Sequence, residues 1–162
     1  MTKYEGIIDE ILFYSERSSD GRWIIPIEVD WDNTLTKCSS WEADEMELNY
    51  EAFEIMRKWI KEYNVGWILN SMRHDEILKK PLEILKEENI ELYGIRKNPN
   101  QDKDGFEVSK CFAVFSIDDR NVGIPQQWFD NCNRPHVDWK EIDRIMTPIL
   151  KEISETLNKI NL

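Results

Sequence analysis

The strongest constraint on this chain is an alternation of apolar runs with helical patterning. The run "IIPIEV" at residues 24–29 is followed from Asn49 by a stretch in which Ala52, Phe53, Met56, Trp59, Ile60 and Tyr63 recur. A second run, "VGWILN", then occupies residues 65–70. Spacings of three and four place side chains on one face of a helix, whereas a short continuous apolar run bounded by polar residues reads as a strand buried on both faces. Strand, helix, strand demands a crossover and hence a parallel pair. Pro26 and Glu28 fit such an interior strand poorly.

The alternation continues downstream. In "DEILKKPLEILKEEN" Leu78, Leu82 and Leu85 share a helical face, with Pro81 predicting a kink or restart, and "IELYGI" and "CFAVFSI" supply two more strand-like runs. The polar stretch "RKNPNQDKDG" is a loop and not a linker, because too little chain follows it to build a second core. Ahead of the first strand, Tyr4, Ile7, Ile8, Ile11 and Leu12 predict an amphipathic helix within an N-terminal extension over residues 1–20, despite Gly6. At the other end, Asp138 and Glu141 predict a capping box for a helix over residues 138–160, broken at Thr147-Pro148. The expected fold is α/β, a central parallel sheet covered by helices in a single domain spanning residues 1–162.

Charge and cysteine usage narrow the function classes. A net charge of −11 argues against a nucleic-acid partner, since tracking a phosphate backbone takes clustered Lys and Arg that this chain lacks, though a pocket for one phosphate is still allowed. Cys38, Cys111 and Cys132 are odd in number and make no C-x-x-C pair. They predict reduced thiols, with neither a disulfide framework nor a zinc site. No apolar run approaches the roughly 18 residues of a membrane span, so no membrane partner and a cytoplasmic location are expected.

In a parallel α/β sheet ligands bind beyond the carboxyl ends of the strands. Here those ends are all polar: Asp30 and Asp32 after the first strand, Asn70 and Ser71 after the second, Asp118 and Asp119 after the fourth. Lys110 stands at the end of the loop before that fourth strand. Two carboxylates about 4 Å apart repel by about 4 kcal/mol at an effective dielectric of about 20, so a cluster of them requires a cation. Carboxylate and carbonyl oxygens suit Mg²⁺, and an aspartate beside Mg²⁺ and a lysine is equipped to attack phosphorus.

The order "VDWDNTLT", "ILNS", a lysine and "IDDR" resembles the haloacid dehalogenase superfamily of phosphohydrolases over roughly residues 25 to 125. "IDDRNVGIP" is closer still to the "IDDRNVGGIP" of small capless bacterial members. The resemblance implies a three-layer α/β/α Rossmann-like core, with the N-terminal helix as an addition that packs over the core or makes a homodimer contact. It makes Asp30 the nucleophile and Asp32 the acid that protonates the leaving group and then activates water. Ser71 would hold the phosphoryl oxygens with the backbone around Trp31 and Asn33, Thr34 completes the motif, and Lys110 would neutralise charge. Asp30, the Asp32 carbonyl, Asp118 and Asp119 would hold Mg²⁺, with Asp119 preferred over Asp118 as the direct ligand. Asn70 and Arg73 are further substrate-contact candidates. Trp41 is read as packing, with the floor of the pocket as its alternative.

Departures from the family pattern fall at Asn33, where glycine is common, at Glu28, where a small apolar residue is expected, and at Asn70, where close relatives often carry tryptophan. About ten residues separate Thr36 from the next helix, and a helix, a strand and a loop use up the stretch from Ser71 to Lys110, so no cap domain fits. The expected activity is Mg²⁺-dependent hydrolysis of a small phosphomonoester through an aspartyl-phosphate. The rivals are a catalytically silent binding module of the same fold and a nucleotide or nucleic-acid end phosphatase. A phosphorelay receiver shares the residue inventory, but its acidic pair lies on the first strand and its lysine on the last.

Overall fold

The structure, a computed structural model, describes residues 3–39 and 46–160. Trp41 lies outside the described residues. In chain order the elements are α1 (Glu5–Tyr14), β1 (Ile25–Val29), β2 (Thr36–Ser39), β3 (Met46–Leu48), α2 (Tyr50–Tyr63), β4 (Val65–Leu69), α3 (Asp75–Glu87), β5 (Gly94–Ile95), β6 (Phe115–Ile117), β7 (Gln126–Gln127), β8 (His136–Val137) and α4 (Trp139–Ile160).

β1 is an interior strand of a four-stranded sheet of order β5-β4-β1-β6, and every pairing in it is parallel. Ile27 sits between Trp67 and Phe115, and Val29 between Leu69 and Ile117. Both central strands are largely apolar because each is covered on two faces: Ile25, Ile27, Val29, Trp67 and Leu69 are fully buried. The two awkward residues of β1 have local answers. Pro26 accepts the Val114 N–H at 2.9 Å just ahead of the β1–β6 register, which opens at Ile27 and Phe115, so its missing donor leaves no gap in that ladder. Glu28 accepts a 2.8 Å hydrogen bond from the Asn70 side-chain amide.

An aromatic cluster ties the helices to this sheet. Trp59 of α2 stacks on Trp67 of β4 at 5.6 Å, and Trp139 at the head of α4 packs against both rings. Asp143 of α4 then takes hydrogen bonds from Trp59 Nε1 (2.7 Å) and Lys58 Nζ (2.9 Å), joining the two helices at their rim. α1 packs on the core through Ile8 and Ile11. Asp138 caps α4 by accepting the Glu141 N–H at 3.2 Å.

Three expectations need correction. Neither proline interrupts its helix: α3 runs through Pro81 and α4 through Pro148. In α4 the buried residues Trp139, Ile142, Leu150, Ile153 and Leu157 form one stripe on both sides of Pro148, so burying both halves against the same surface outweighs the lost backbone bond. The third and fourth strand-like runs yield only short strands, since β5 pairs with the sheet through two residues and β6 through three. Finally, Cys38 and Cys132 form a disulfide with their Cα atoms 5.9 Å apart, leaving Cys111 as the free thiol. A pair separated by 94 residues is invisible to spacing rules and is set by the fold alone. Two antiparallel hairpins, β2–β3 and β7–β8, carry or flank these cysteines. Among the described residues no helix is long and apolar enough to cross a membrane.

Candidate functional site

The parallel register brings the ends of β1 and β6 side by side. Val29 and Ile117 are partners, and the ladder runs one step further through Asp30 N–H to the Ile117 carbonyl (3.0 Å), while Asn70 N–H bonds the Val29 carbonyl (2.9 Å). Asp30 therefore leaves the sheet beside Asp118 and Asp119. One carboxylate oxygen from each of the three lies within 4.8 Å of the other two.

The turn after Asp30 is built by its own sequence. The Trp31 carbonyl accepts from the N–H groups of Thr34 (3.3 Å), Leu35 (2.9 Å) and Thr36 (3.2 Å), and Thr36 Oγ1 accepts from Asn33 N–H at 3.0 Å. Asn33 has φ of 55°, the left-handed region that asparagine tolerates better than most residues, which explains how it stands where glycine is common. Thr34 is fully buried, and its Oγ1 accepts the Asp119 N–H at 3.1 Å, so the first motif fastens the last. The Trp31 side chain is committed to the core, its Nε1 3.2 Å from Met46 Sδ, leaving its backbone to serve the site.

Crowding raises the proton affinity of Asp30 and Asp119. The Asp30 carboxyl is pushed up to about 8, first by burial and then by the charge of Asp118, with smaller contributions from Asp119 and Asp32 opposing the bond from Trp31 N–H. Asp119 is raised as well, by burial and by its hydrogen bond with Asp118, against the pull of Arg134. Three carboxylate oxygens this close together could hold a metal ion.

The remaining predicted residues divide. Asp32 stands outside the group of three; its carboxylate holds the Arg73 fork, with Nη2 2.7 Å from Oδ1 and Nε 2.9 Å from Oδ2. Arg73 is buried, its carbonyl accepts from Arg96 Nη2 (2.6 Å), and its N–H donates to Ser71 Oγ (3.1 Å). It is turned inward onto Asp32. Ser71 is buried and does not cap α3, whose cap position is His74. Asn70 directs its amide to Glu28. Lys110 is exposed, and its ammonium makes no ion pair or hydrogen bond among the described residues.

Among the described residues the cation that touches the cluster is Arg134, whose Nη2 lies 2.8 Å from Asp119 Oδ2. Sequence reasoning missed it. Arg134 sits in the irregular stretch "NCNRPH", which has neither periodicity nor a motif to signal it.

No family model and no curated protein matches the chain. A solved structure of a conserved protein coded by a locus of Bacteroides thetaiotaomicron is similar to it, with 28% identity and a TM-score of 0.57 over 77% of this chain and 91% of that one.

Proposed function

We propose that this chain is a divalent-metal-dependent phosphomonoesterase of haloacid dehalogenase type, capless and built on a three-layer α/β/α core, with Asp30 as its nucleophile. The observation that supports this reading best is the grouping of Asp30, at the end of an interior strand, with Asp118 and Asp119. When bound by these carboxylates, Mg²⁺ supplies charge neutralisation at the phosphoryl oxygens.

The chain's own groups account for the other requirements. An Asp30 oxygen attacks phosphorus in line with the leaving oxygen, giving an aspartyl-phosphate. Asp32 protonates the departing alcohol and later takes a proton from the water that hydrolyses the acyl phosphate. Arg73 orients Asp32 through its two-point contact, acting as a positioning residue. The Ser71 hydroxyl holds the phosphoryl oxygens, the Asn33 N–H being already given to Thr36 Oγ1, and Lys110 adds positive charge from its loop. Phosphate-monoester hydrolysis is among the slowest uncatalysed reactions, so attack, protonation and charge stabilisation must all be provided. A small phosphorylated substrate is the expected partner.

The test is turnover of p-nitrophenyl phosphate and a panel of phosphomonoesters, with and without Mg²⁺, by wild type and Asp30→Asn. Metal-dependent turnover that falls by on the order of 10⁴-fold or more in the variant is the expected result. Hydrolysis unaffected by the substitution refutes the nucleophile assignment. Absence of any turnover, with beryllofluoride and Mg²⁺ still binding, indicates a silent module.

A further inference from the structure

The Cys38–Cys132 disulfide lies within two residues of Arg134, whose guanidinium contacts the carboxylate cluster. Two peptide units span at most about 7 Å, so the Cα of Arg134 cannot lie farther than that from Cys132. Arg134 in turn holds Asp119 Oδ2 at 2.8 Å. The disulfide thus fastens to β2, in the hairpin that follows the Asp30 turn, the loop that delivers a positive charge to a carboxylate assigned above to the metal.

The loop is built so that loss of this tie frees it locally. Its base is closed independently, by the β7–β8 pairs Gln126–Val137 and Gln127–His136 and by Val137 N–H on the Asn33 carbonyl at 2.9 Å. Between those ends, residues 128–135 are held to the body by the disulfide, by Arg134 on Asp119, and by Lys37 lying 5.9 Å from the centre of the Phe129 ring. Arg134 is 44% exposed and Asp119 3% exposed at the side chain, so the arginine can withdraw into water while the aspartate stays. Both sulfur-bearing residues are half-buried rather than enclosed, which leaves a small reductant a route to them.

We propose that Cys38 and Cys132 form a redox switch on the metal site, the oxidised pair holding Arg134 on Asp119 in competition with a divalent cation and the reduced pair releasing it. The inference rests on the metal-site reading above. Reduction takes two electrons and two protons from a small dithiol: a donor thiolate attacks one sulfur, the Cys38–Cys132 bond breaks, and two thiols remain here while the donor becomes a disulfide. The guanidinium and a divalent cation compete for Asp119, because both are drawn to the same carboxylate and repel each other across it.

The experiment measures Mn²⁺ binding by electron paramagnetic resonance on the full chain, air-oxidised and dithiothreitol-reduced, with thiols counted in each state and circular dichroism recorded. The reduced protein is expected to bind Mn²⁺ at least about tenfold more tightly than the oxidised one. In Arg134→Gln the ratio between the two states should fall to near one, with both forms binding tightly. Equal affinity in the two wild-type states overturns the switch and leaves the metal site standing, as does tighter binding by the oxidised form. Failure of every form to bind Mn²⁺ removes the metal site itself and the switch with it. Finding both thiols free after air oxidation also overturns the switch. Because reduction is applied to wild-type protein, the test does not depend on a cysteine variant folding.

Discussion

At the scale of single residues, the decisive quantity is the charge on Asp30. In the unfolded chain its carboxyl loses a proton near its ordinary value of 3.8, whereas in the folded chain burial and neighbouring carboxylates hold the proton up to about 8. The folded state therefore binds more protons between those limits, and without a cation the Asp30 contribution to stability declines as pH rises through that window. Asp30→Asn keeps the shape and removes the charge. In the presence of a chelator, urea midpoints should show the variant gaining on wild type between pH 5 and pH 8. Adding Mg²⁺ should erase that gain by supporting the wild-type carboxylate. A wild-type and variant pair whose difference is flat with pH would contradict the account of Asp30 as a crowded carboxyl. Cys111 is shifted in the same direction: burial and the charge of Glu28 push its thiol up to about 12, which makes it a poor nucleophile.

At the scale of elements, α4 is the instructive case. Its apolar stripe has the helical period on both sides of Pro148, and the tertiary contacts of Ile142 on one side and Leu150, Ile153 and Leu157 on the other keep the two halves in line. Pro148 is exposed, so its ring adds little packing while its lack of an N–H leaves a backbone bond unmade. Pro148→Ala is therefore expected to stabilise the protein by about 1–3 kcal/mol, read as an increased urea midpoint at unchanged slope. A lower midpoint would mean that the proline shapes a bend on which the docking of α4 against α2 depends. The sheet shows the same priority of context over local preference. Pro26 is accepted in β1 because it lies ahead of the β6 pairing, and Glu28 because Asn70 reaches it. That second contact also engages the Asn70 side-chain amide.

At the scale of the whole molecule, the disulfide joins two hairpins that sit outside the main sheet. Closing a span of 94 residues removes a large share of unfolded-state freedom, worth about 4.7 kcal/mol in the chain-entropy account. Reduction should lower stability by up to about that amount, measured by urea denaturation with and without dithiothreitol, and should leave the protein folded because a domain of this size has about 5–15 kcal/mol to lose. Unfolding on reduction would show that the core of α2, α4 and the sheet cannot stand without the link. The same core explains why the site is well placed: the strand order puts β1 beside β6, and the residues that follow them converge whatever the intervening chain does.

How much of this was legible beforehand follows from the range of the interactions involved. The alternation of strands and helices, the interior character of β1 and β4, and the polar strand ends at Asp30 and Asp118-Asp119 all rest on local patterning, which a linear reading can see. The grouping of those three carboxylates was inferable because parallel strands force their ends together. The disulfide between Cys38 and Cys132, the grip of Arg134 on Asp119 and the capture of Asp32 by Arg73 were not. Each joins residues from separate segments, and nothing in either segment names its partner in the other. Their pairing is decided by where the sheet and its hairpins bring the backbone, so only the tertiary structure specifies which charges meet.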